Sequence, residues 1–189
     1  MTDKTYITAD QLLDDSFRLG ARILESGYRP NFIVGIWRGG TPVGIAVQEL
    51  LDWFGIETDH IAIRTSLYTG IDERARQVRV HGTSYLIRQL EHGDRLLIVD
   101  DVFDSGRSID AVIAHLQRRC RRNMPGDVRI ATAYYKPGKN QTDRVPDYFV
   151  HRTEDWLVLP YELNGLTLDE IRAHKPFLAP ILDGITAPG

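Results

Sequence analysis

The sequence predicts an α/β fold built on a mainly parallel β-sheet with helices on both faces. Three observations lead there. Short apolar runs, each closed by a turn signal, alternate along the 189 residues with segments of helical periodicity. The strongest runs are continuously apolar rather than alternating, as in strands buried on both faces. Polar, glycine-containing turns follow those runs directly, where ligands bind in open parallel sheets.

Each element has a local reason. Thr8-Ala-Asp-Gln11 has the form of a capping box. Leu12, Leu13, Phe17, Leu19, Ile23 and Leu24 continue it at helical spacing, and Gly27 ends it. Asn31–Ile36 is a buried-strand candidate between Pro30 and Gly39-Gly40, and a helix follows from Gly44 to Phe54, with Pro42 ahead of it. His60–Arg64 reads as a strand, and the polar stretch Thr65–Arg79 as a mobile loop. Ser84–Glu91 suits a short helix ended near Gly93. Leu96–Val99 is the most apolar strand, followed by a helix over Ser108–Arg121. Val128–Tyr135, Tyr148–Val150 and Trp156–Leu159 read as further strands, and Leu166–Ile171 as a late helical turn. Pro176, Pro180 and Pro188 predict an irregular tail.

Composition bounds the function. Hydrophobic residues at 42% and charged residues at 26% exclude a disordered or collagen-like chain. A net charge of −3 gives no general basic excess for nucleic acid, so no nucleic-acid partner is expected. The one dense basic cluster, Arg118-Arg-Cys-Arg-Arg122, suits a solvated helix end. Its Cys120 is the only cysteine, so an internal disulfide and a Cys-x-x-Cys metal site are both excluded. His60, His81, His92, His115, His151 and His174 show no metal-ligand spacing. The opening residues lack a basic-then-apolar leader and no apolar run approaches ~20 residues, so a cytoplasmic protein without a membrane partner is expected.

The sharpest segment is Leu96-Leu-Ile-Val-Asp-Asp-Val-Phe-Asp-Ser-Gly-Arg-Ser108. Asp100 and Asp101 are adjacent carboxylates at a strand end, tolerable when they meet a cation or ligand hydroxyls. Asp104, Ser105, Gly106, Arg107 and Ser108 then open a helix whose free N–H groups and hydroxyls suit a phosphate, with Gly106 allowing close approach. Together they offer what a ribose 5-phosphate demands.

This stretch resembles the phosphoribosyl-pyrophosphate (PRPP) signature of type I phosphoribosyltransferases, and the likeness spans about residues 30–165. It implies that family's fold, a mainly parallel five-stranded sheet flanked by helices with a small hood. That is a single domain over residues 1–189, with its core at about 28–140 and a base-binding hood at about 141–189 joined by the N-terminal segment. It implies that Asp100 and Asp101 meet the ribose hydroxyls and Mg²⁺, and that Asp104 to Ser108 hold the 5-phosphate.

Gly35-Ile-Trp-Arg-Gly-Gly-Thr-Pro-Val-Gly44 is a strand running into a tight glycine turn and a proline-initiated helix. Backbone amides at Arg38, Gly39 and Gly40 can face anionic oxygens, with Arg38 adding charge. It resembles the family's pyrophosphate loop, which implies a strained or cis Trp37–Arg38 peptide.

Ala133-Tyr-Tyr-Lys-Pro137 and Asp155-Trp-Leu-Val-Leu-Pro-Tyr-Glu162 concern the acceptor. Lys136 at a strand end can donate to a carbonyl, and Trp156 can stack on a flat heterocycle. Taken singly, each is more often structural. Together with the PRPP signature they resemble the base pocket of 6-oxopurine phosphoribosyltransferases. The resemblance implies that Lys136 contacts the purine O6, Trp156 covers the ring and the Leu157 backbone meets its edge. Glu162 stands where relatives often carry an aspartate that helps place a second Mg²⁺. Arg64-Thr-Ser-Leu-Tyr68 resembles the start of the family's flexible catalytic loop, with Ser66 and Tyr68 as the matching residues.

The implied reaction transfers 5-phosphoribosyl from PRPP to N9 of hypoxanthine, guanine or xanthine, releasing pyrophosphate and a nucleoside monophosphate, with Asp104 handling a purine proton near N7. Family habit implies a dimer or tetramer. Two alternatives stay open: another base (uracil, orotate or adenine), and a regulatory protein of the same fold that senses PRPP or nucleotides.

Overall fold

The computed structural model describes residues 4–69 and 76–185, which fall into two compact units. The larger comprises Leu13–Glu154 and the smaller Met1–Leu12 with Asp155–Gly189. In chain order the elements are β1 (Lys4–Tyr6), α1 (Ala9–Glu25), β2 (Phe32–Trp37), α2 (Gly40–Trp53), β3 (Asp59–Thr69), β4 (Arg76–His81), α3 (Ser84–Gln89), β5 (Arg95–Phe103), α4 (Arg107–Cys120), β6 (Asp127–Tyr135), β7 (Tyr148–Arg152), β8 (Trp156–Val158), α5 (Leu168–His174) and α6 (Ala179–Asp183).

The larger unit holds a sheet of order β4-β3-β2-β5-β6-β7. The five strands β3, β2, β5, β6 and β7 run parallel, as the apolar runs predict, and β4 adds an antiparallel edge. β2 and β5 lie at the centre, and Phe32–Ile36 and Leu96–Val99 are buried throughout. Alternate residues serve opposite faces. Val34, Ile36, Ile63, Leu96 and Ile98 join Leu86 and Leu90 and the α4 residues Ile109, Val112, Ile113 and Leu116 in one core. On the other face, Gly35 and Val99 lie under the start of α2, where a methyl group added to Gly44 would come into ordinary van der Waals contact with both. Gly20 of α1 sits so close to Leu50 and Val47 of α2 that a methyl group there would meet Leu50 Cδ2 at 2.9 Å.

The stretch Thr65–Arg79, expected as a loop, instead extends β3 to Thr69 and starts β4 at Arg76. Cross-strand pairing from Arg64↔His81 to Thr69↔Arg76 supplies the order that polar side chains conceal. Val80 packs against the core from this edge, giving one face of β4 an apolar anchor. Residues 70–75 lie outside the described residues.

In the smaller unit β1 pairs parallel with β8, Lys4 opposite Trp156. The Thr8–Gln11 capping box is formed by reciprocal bonds of 2.9 and 3.1 Å. A second capping box joins Thr167 and Glu170 at the start of α5. The Lys4 ammonium meets the Glu170 carboxylate at 2.6 Å, and the Tyr6 hydroxyl donates to the same group. The tail is more ordered than its prolines predict, because Pro180 occupies the first turn of α6, where no N–H is needed. Among the described residues no helix is long and apolar enough to cross a membrane.

Candidate active site

The site forms where β2 and β5 end. β5 continues three residues beyond its apolar run, carrying Asp100 and Asp101 as part of the strand. Both are half-buried. The Asp101 amide donates to the Asp100 carboxylate at 3.0 Å, and the Val102 amide to the Asp101 carboxylate at 2.7 Å. Burial, then the neighbouring Asp101, push the Asp100 carboxyl well above the usual carboxylate range, while backbone N–H groups of Asp101 and Gly40 pull against that shift. A cation or donor from a ligand would relieve the same imbalance.

Immediately after β5 the chain turns through Asp104, Ser105 and Gly106 into α4. Gly106 has φ 73°, and a methyl group there would lie 2.7 Å from both Phe103 Cζ and Thr142 Oγ1. Glycine is therefore required both by conformation and by space. The Ser105 carbonyl accepts from the Gln141 amide at 3.0 Å, and the Phe103 carbonyl from the Lys136 amide at 2.9 Å, so the turn is braced by the segment after β6. A cavity of about 80 Å³ opens here, lined by Asp100, Val102, Phe103, Asp104, Ser105, Gly106, Ser108 and Ile109. The first-turn amides of α4 border it, at the positive end of the helix dipole. Its size and chemistry suit one phosphate group.

The second motif lies against the first. β2 ends at Trp37, the Trp37–Arg38 peptide is cis, and Gly39 and Gly40 lead into α2. A methyl group on Gly40 would lie 2.3 Å from the Val99 carbonyl oxygen and 2.9 Å from Asp100 Cα. The glycine turn thus touches the backbone that presents Asp100. Arg38 is exposed, and Gly39 and Gly40 are buried. α2 begins at Gly40 rather than Gly44, and Pro42 lies in its first turn, where a proline is tolerated, as the sequence suggests.

Lys136 closes β6 and is only 9% exposed, yet its ammonium has no hydrogen-bond or ion-pair partner among the described residues. The ammonium itself is not among the buried side-chain atoms that lack a partner, so solvent reaches it at the end of β6 while the stem of the side chain is covered. Thr132 was not anticipated from the sequence. It stands opposite Asp100 in the β5–β6 register, fully buried, with its hydroxyl unpartnered. Only the strand register reveals it. Ser66 bonds His81 across the β3–β4 pair at 3.0 Å, and Tyr68 stands opposite Gln77.

The remaining predicted residues belong to the smaller unit. Trp156 on β8 is 57% exposed, while Leu157 is buried. The turn after β8 is closed by its own bonds: the Glu162 amide donates to the Leu159 carbonyl at 3.0 Å, and the Leu159 amide to the Glu162 carboxylate at 3.1 Å. Glu162 is thus engaged in its own turn. Among the described residues no three His, Cys, Asp or Glu side chains gather around a common point for a metal. The Asp100–Asp101 pair suits Mg²⁺, which binds through one or two carboxylates and completes its shell with water and substrate oxygens.

Residues 7–164 match the phosphoribosyl transferase domain family. No curated protein matches the chain. Among solved structures, a purine phosphoribosyltransferase from Pyrococcus horikoshii Ot3 is similar at 27% identity and a TM-score of 0.67, covering 87% of this chain and 97% of that one. The Helicobacter pylori xanthine-guanine-hypoxanthine phosphoribosyltransferase shares the fold at 18% identity and a TM-score of 0.62, covering 91% and 100%. A hypothetical protein from Neisseria gonorrhoeae with bound ppGpp does so at 18% identity and a TM-score of 0.74, covering 94% and 98%.

Proposed function

Because the chain belongs to the phosphoribosyl transferase domain family, we propose that it transfers the 5-phosphoribosyl group of PRPP to N9 of a 6-oxopurine, releasing pyrophosphate, as a Mg²⁺-dependent salvage enzyme. The observation that carries this reading is the 80 Å³ cavity at the N-terminus of α4, lined by Asp100 and by the turn from Asp104 to Ser108, with the Gly40 turn set against the Asp100 backbone. One short region thus offers a phosphate cradle, a carboxylate pair for a ribose and a turn for pyrophosphate. Similarity to the Pyrococcus purine enzyme supports the choice of base class.

The chemistry follows from the residues. The Ser105, Gly106, Arg107 and Ser108 segment grips the 5-phosphate and so fixes the ribose. Asp100 and Asp101 accept from the ribose hydroxyls. Mg²⁺, when bound at this pair, would neutralise oxygens of the departing pyrophosphate. Arg38 and the Gly39 and Gly40 amides receive the same leaving group as the C1′–O bond breaks and C1′ gains positive character. The purine N9 lone pair forms the new bond to C1′. Lys136 holds the base through O6, Trp156 covers its ring and the Leu157 backbone meets its edge. Asp104, exposed at the mouth of the turn, accepts the proton the purine gives up. Ser66 and Tyr68, on the β3 arm, are the residues that match the family's catalytic loop, and copies of the chain assemble as a dimer or tetramer.

A second reading has one observation in its favour. The Neisseria neighbour carries ppGpp, so a nucleotide-sensing protein on this fold is the alternative. One assay separates the two. Pyrophosphate release is followed with PRPP and Mg²⁺, and with hypoxanthine, guanine, xanthine, adenine, uracil and orotate in parallel, for the wild type and Asp104→Asn. Turnover with a 6-oxopurine is expected, with Asp104→Asn lowering kcat more than PRPP affinity. Turnover only with another base would overturn the base assignment. Silence with all six, while nucleotide still binds, would favour the sensor.

A further inference from the structure

β4 is the edge of the six-stranded sheet, and among the described residues no strand pairs with its outer side. An open edge presents backbone N–H and C=O groups that another extended chain can use. A groove of about 600 Å³ runs beside this edge. Four consecutive β4 residues, Val78, Arg79, Val80 and His81, line one wall. Neighbouring residues of a strand point to opposite faces, so a wall that includes all four is the strand's edge and not one of its faces. The other wall is a single stripe of α4, Ala111, Ala114, His115 and Arg118, which helical spacing sets on one side. Ala111 and Ala114 stop at Cβ, which leaves the space that larger side chains would fill.

The sign of the charge selects the occupant. Arg79 and His81 are exposed on β4, and Arg118 is exposed on α4. No Asp or Glu among the described residues lines the groove, and the one acid of α4, Asp110, is held by Arg144 at 2.7 Å. His115 is fixed by a 3.0 Å bond between its Nε2 and the Thr83 hydroxyl. Burial first, and then Arg118 and Arg119, lower its pKa below the usual histidine value, and the second cause reports a positive surround. A second copy of this chain suits the edge poorly, because pairing β4 with β4 would gather the basic side chains of both strands.

We propose that β4 and α4 form a docking groove for an acidic, extended segment of a partner protein, which adds to the β4 edge as a further strand. Strand addition beside a helix uses the edge for affinity and the helix wall for side-chain selection. Val80 packs against the core on the α4 side, and Val78 shares its face by alternation. Partner residues opposite these two therefore meet the methyl groups of Ala111 and Ala114, and are apolar. Partner residues opposite Arg79 and His81 lie on the other face, and are Asp or Glu. Arg118 draws the same negative charge from the α4 wall. The groove lies wholly within the larger unit and shares no residue with the 80 Å³ cavity, so the proposal is independent of the reaction.

The test titrates the full chain into a capped, fluorophore-labelled peptide, Val-Glu-Val-Glu-Val-Glu, and reads anisotropy. Binding is expected, with slower amide hydrogen exchange along residues 78–81. The same peptide with N-methylated amides cannot donate to a strand edge and is expected to bind about tenfold more weakly. Val-Lys-Val-Lys-Val-Lys is expected not to bind. Arg118→Glu reverses a charge of the groove and Ala114→Phe fills it, and each is expected to weaken the acidic peptide about tenfold. Arg122→Glu changes the same basic cluster outside the groove and is expected to bind as the wild type does. Absence of binding by the wild type overturns the proposal, as does equal binding of the N-methylated or the lysine peptide. A loss in Arg122→Glu equal to that in Arg118→Glu would reduce the contact to diffuse charge and overturn it too. A wild-type dimer that Ala114→Phe dissociates would assign the groove to a second copy, against the proposal. Should Ala114→Phe fail to fold, the exposed Arg118→Glu and the N-methylated peptide decide the matter.

Discussion

Replacing Gly40 by alanine tests how the two halves of the anion site depend on one another. The added methyl would stand 2.3 Å from the Val99 carbonyl oxygen and 2.9 Å from Asp100 Cα. Ordinary contact begins near 3.4 Å, so the backbone must part by about 1 Å. The obstacle is main chain, so no rotamer change relieves it. Val99 is paired on one side with Gly35 and on the other with Ala131, which holds the oxygen in place. α2, starting at the substituted residue, has to move instead. Overpacking of this kind costs about 1–3 kcal/mol. For a chain of this size that lowers Tm by roughly 2–12 °C. A 1 Å displacement of the glycine turn from Asp100 should also lower kcat/KM for PRPP by about 100-fold. The assays are a thermal melt by circular dichroism and steady-state pyrophosphate release. Gly93→Ala is the control, since Gly93 is exposed and nothing lies within 4 Å of an added methyl. A Gly40→Ala protein with the control's Tm and kcat/KM would refute the claim that the two motifs share a fixed contact.

Three further outcomes are expected. Lys136→Ala should raise KM for the base by about 10- to 100-fold, the loss of a charged hydrogen bond, while leaving the dissociation constant of PRPP unchanged; a change in PRPP binding alone would contradict the assignment. Tyr134→Phe removes the hydroxyl that donates to the buried Asp15 carboxylate at 2.8 Å, leaving His151 as its other partner at 2.7 Å, and should cost about 1–3 kcal/mol in urea unfolding. Glu170 is held at about 2, first by the Lys4 ammonium and then by the Thr167 amide, against its usual 4.5. A depressed carboxyl stabilises fully above its unfolded value, so this contribution should be intact above pH 4.5 and fade as pH falls toward 2; thermal melts from pH 5 to 2.5 should show a shallower decline for Glu170→Gln than for the wild type.

The turn after β5 was legible as a candidate phosphate site because its signals are local. An apolar run, two acids and a Gly/Ser turn within thirteen residues leave few other uses for that chemistry. The Gly35–Gly44 turn was readable for the same reason, and its cis peptide follows the resemblance. What escaped depends on partners distant in sequence. Lys4–Tyr6 is too short to announce itself as a strand, and only its pairing with Trp156–Val158 makes it one. The β3–β4 arms are polar at a sheet edge, where alternation is weak and cross-strand bonds do the ordering. Thr132 looks like any strand threonine until the register sets it opposite Asp100. Lys136 is singled out in the sequence by its place at a strand end and by the resemblance, but its burial, like that of Lys175, is not legible there. The close approach of Gly40 to Val99 is a meeting of two backbones, to which side-chain pattern is blind.

The pairing of β1 with β8 has a consequence in time. Thr5 meets Asp155 across 150 positions of chain. At translation rates of roughly 5–20 residues per second, the first strand waits about 8–30 s for its partner to be synthesised. β2, β5 and α4, which carry the proposed phosphate cradle and the glycine turn, are all complete before β8 emerges. A nascent chain can therefore assemble the proposed anion site while β1 is still a single exposed edge, open to pairing with another chain. Ribosomes that pause between β7 and β8 would prolong that exposure.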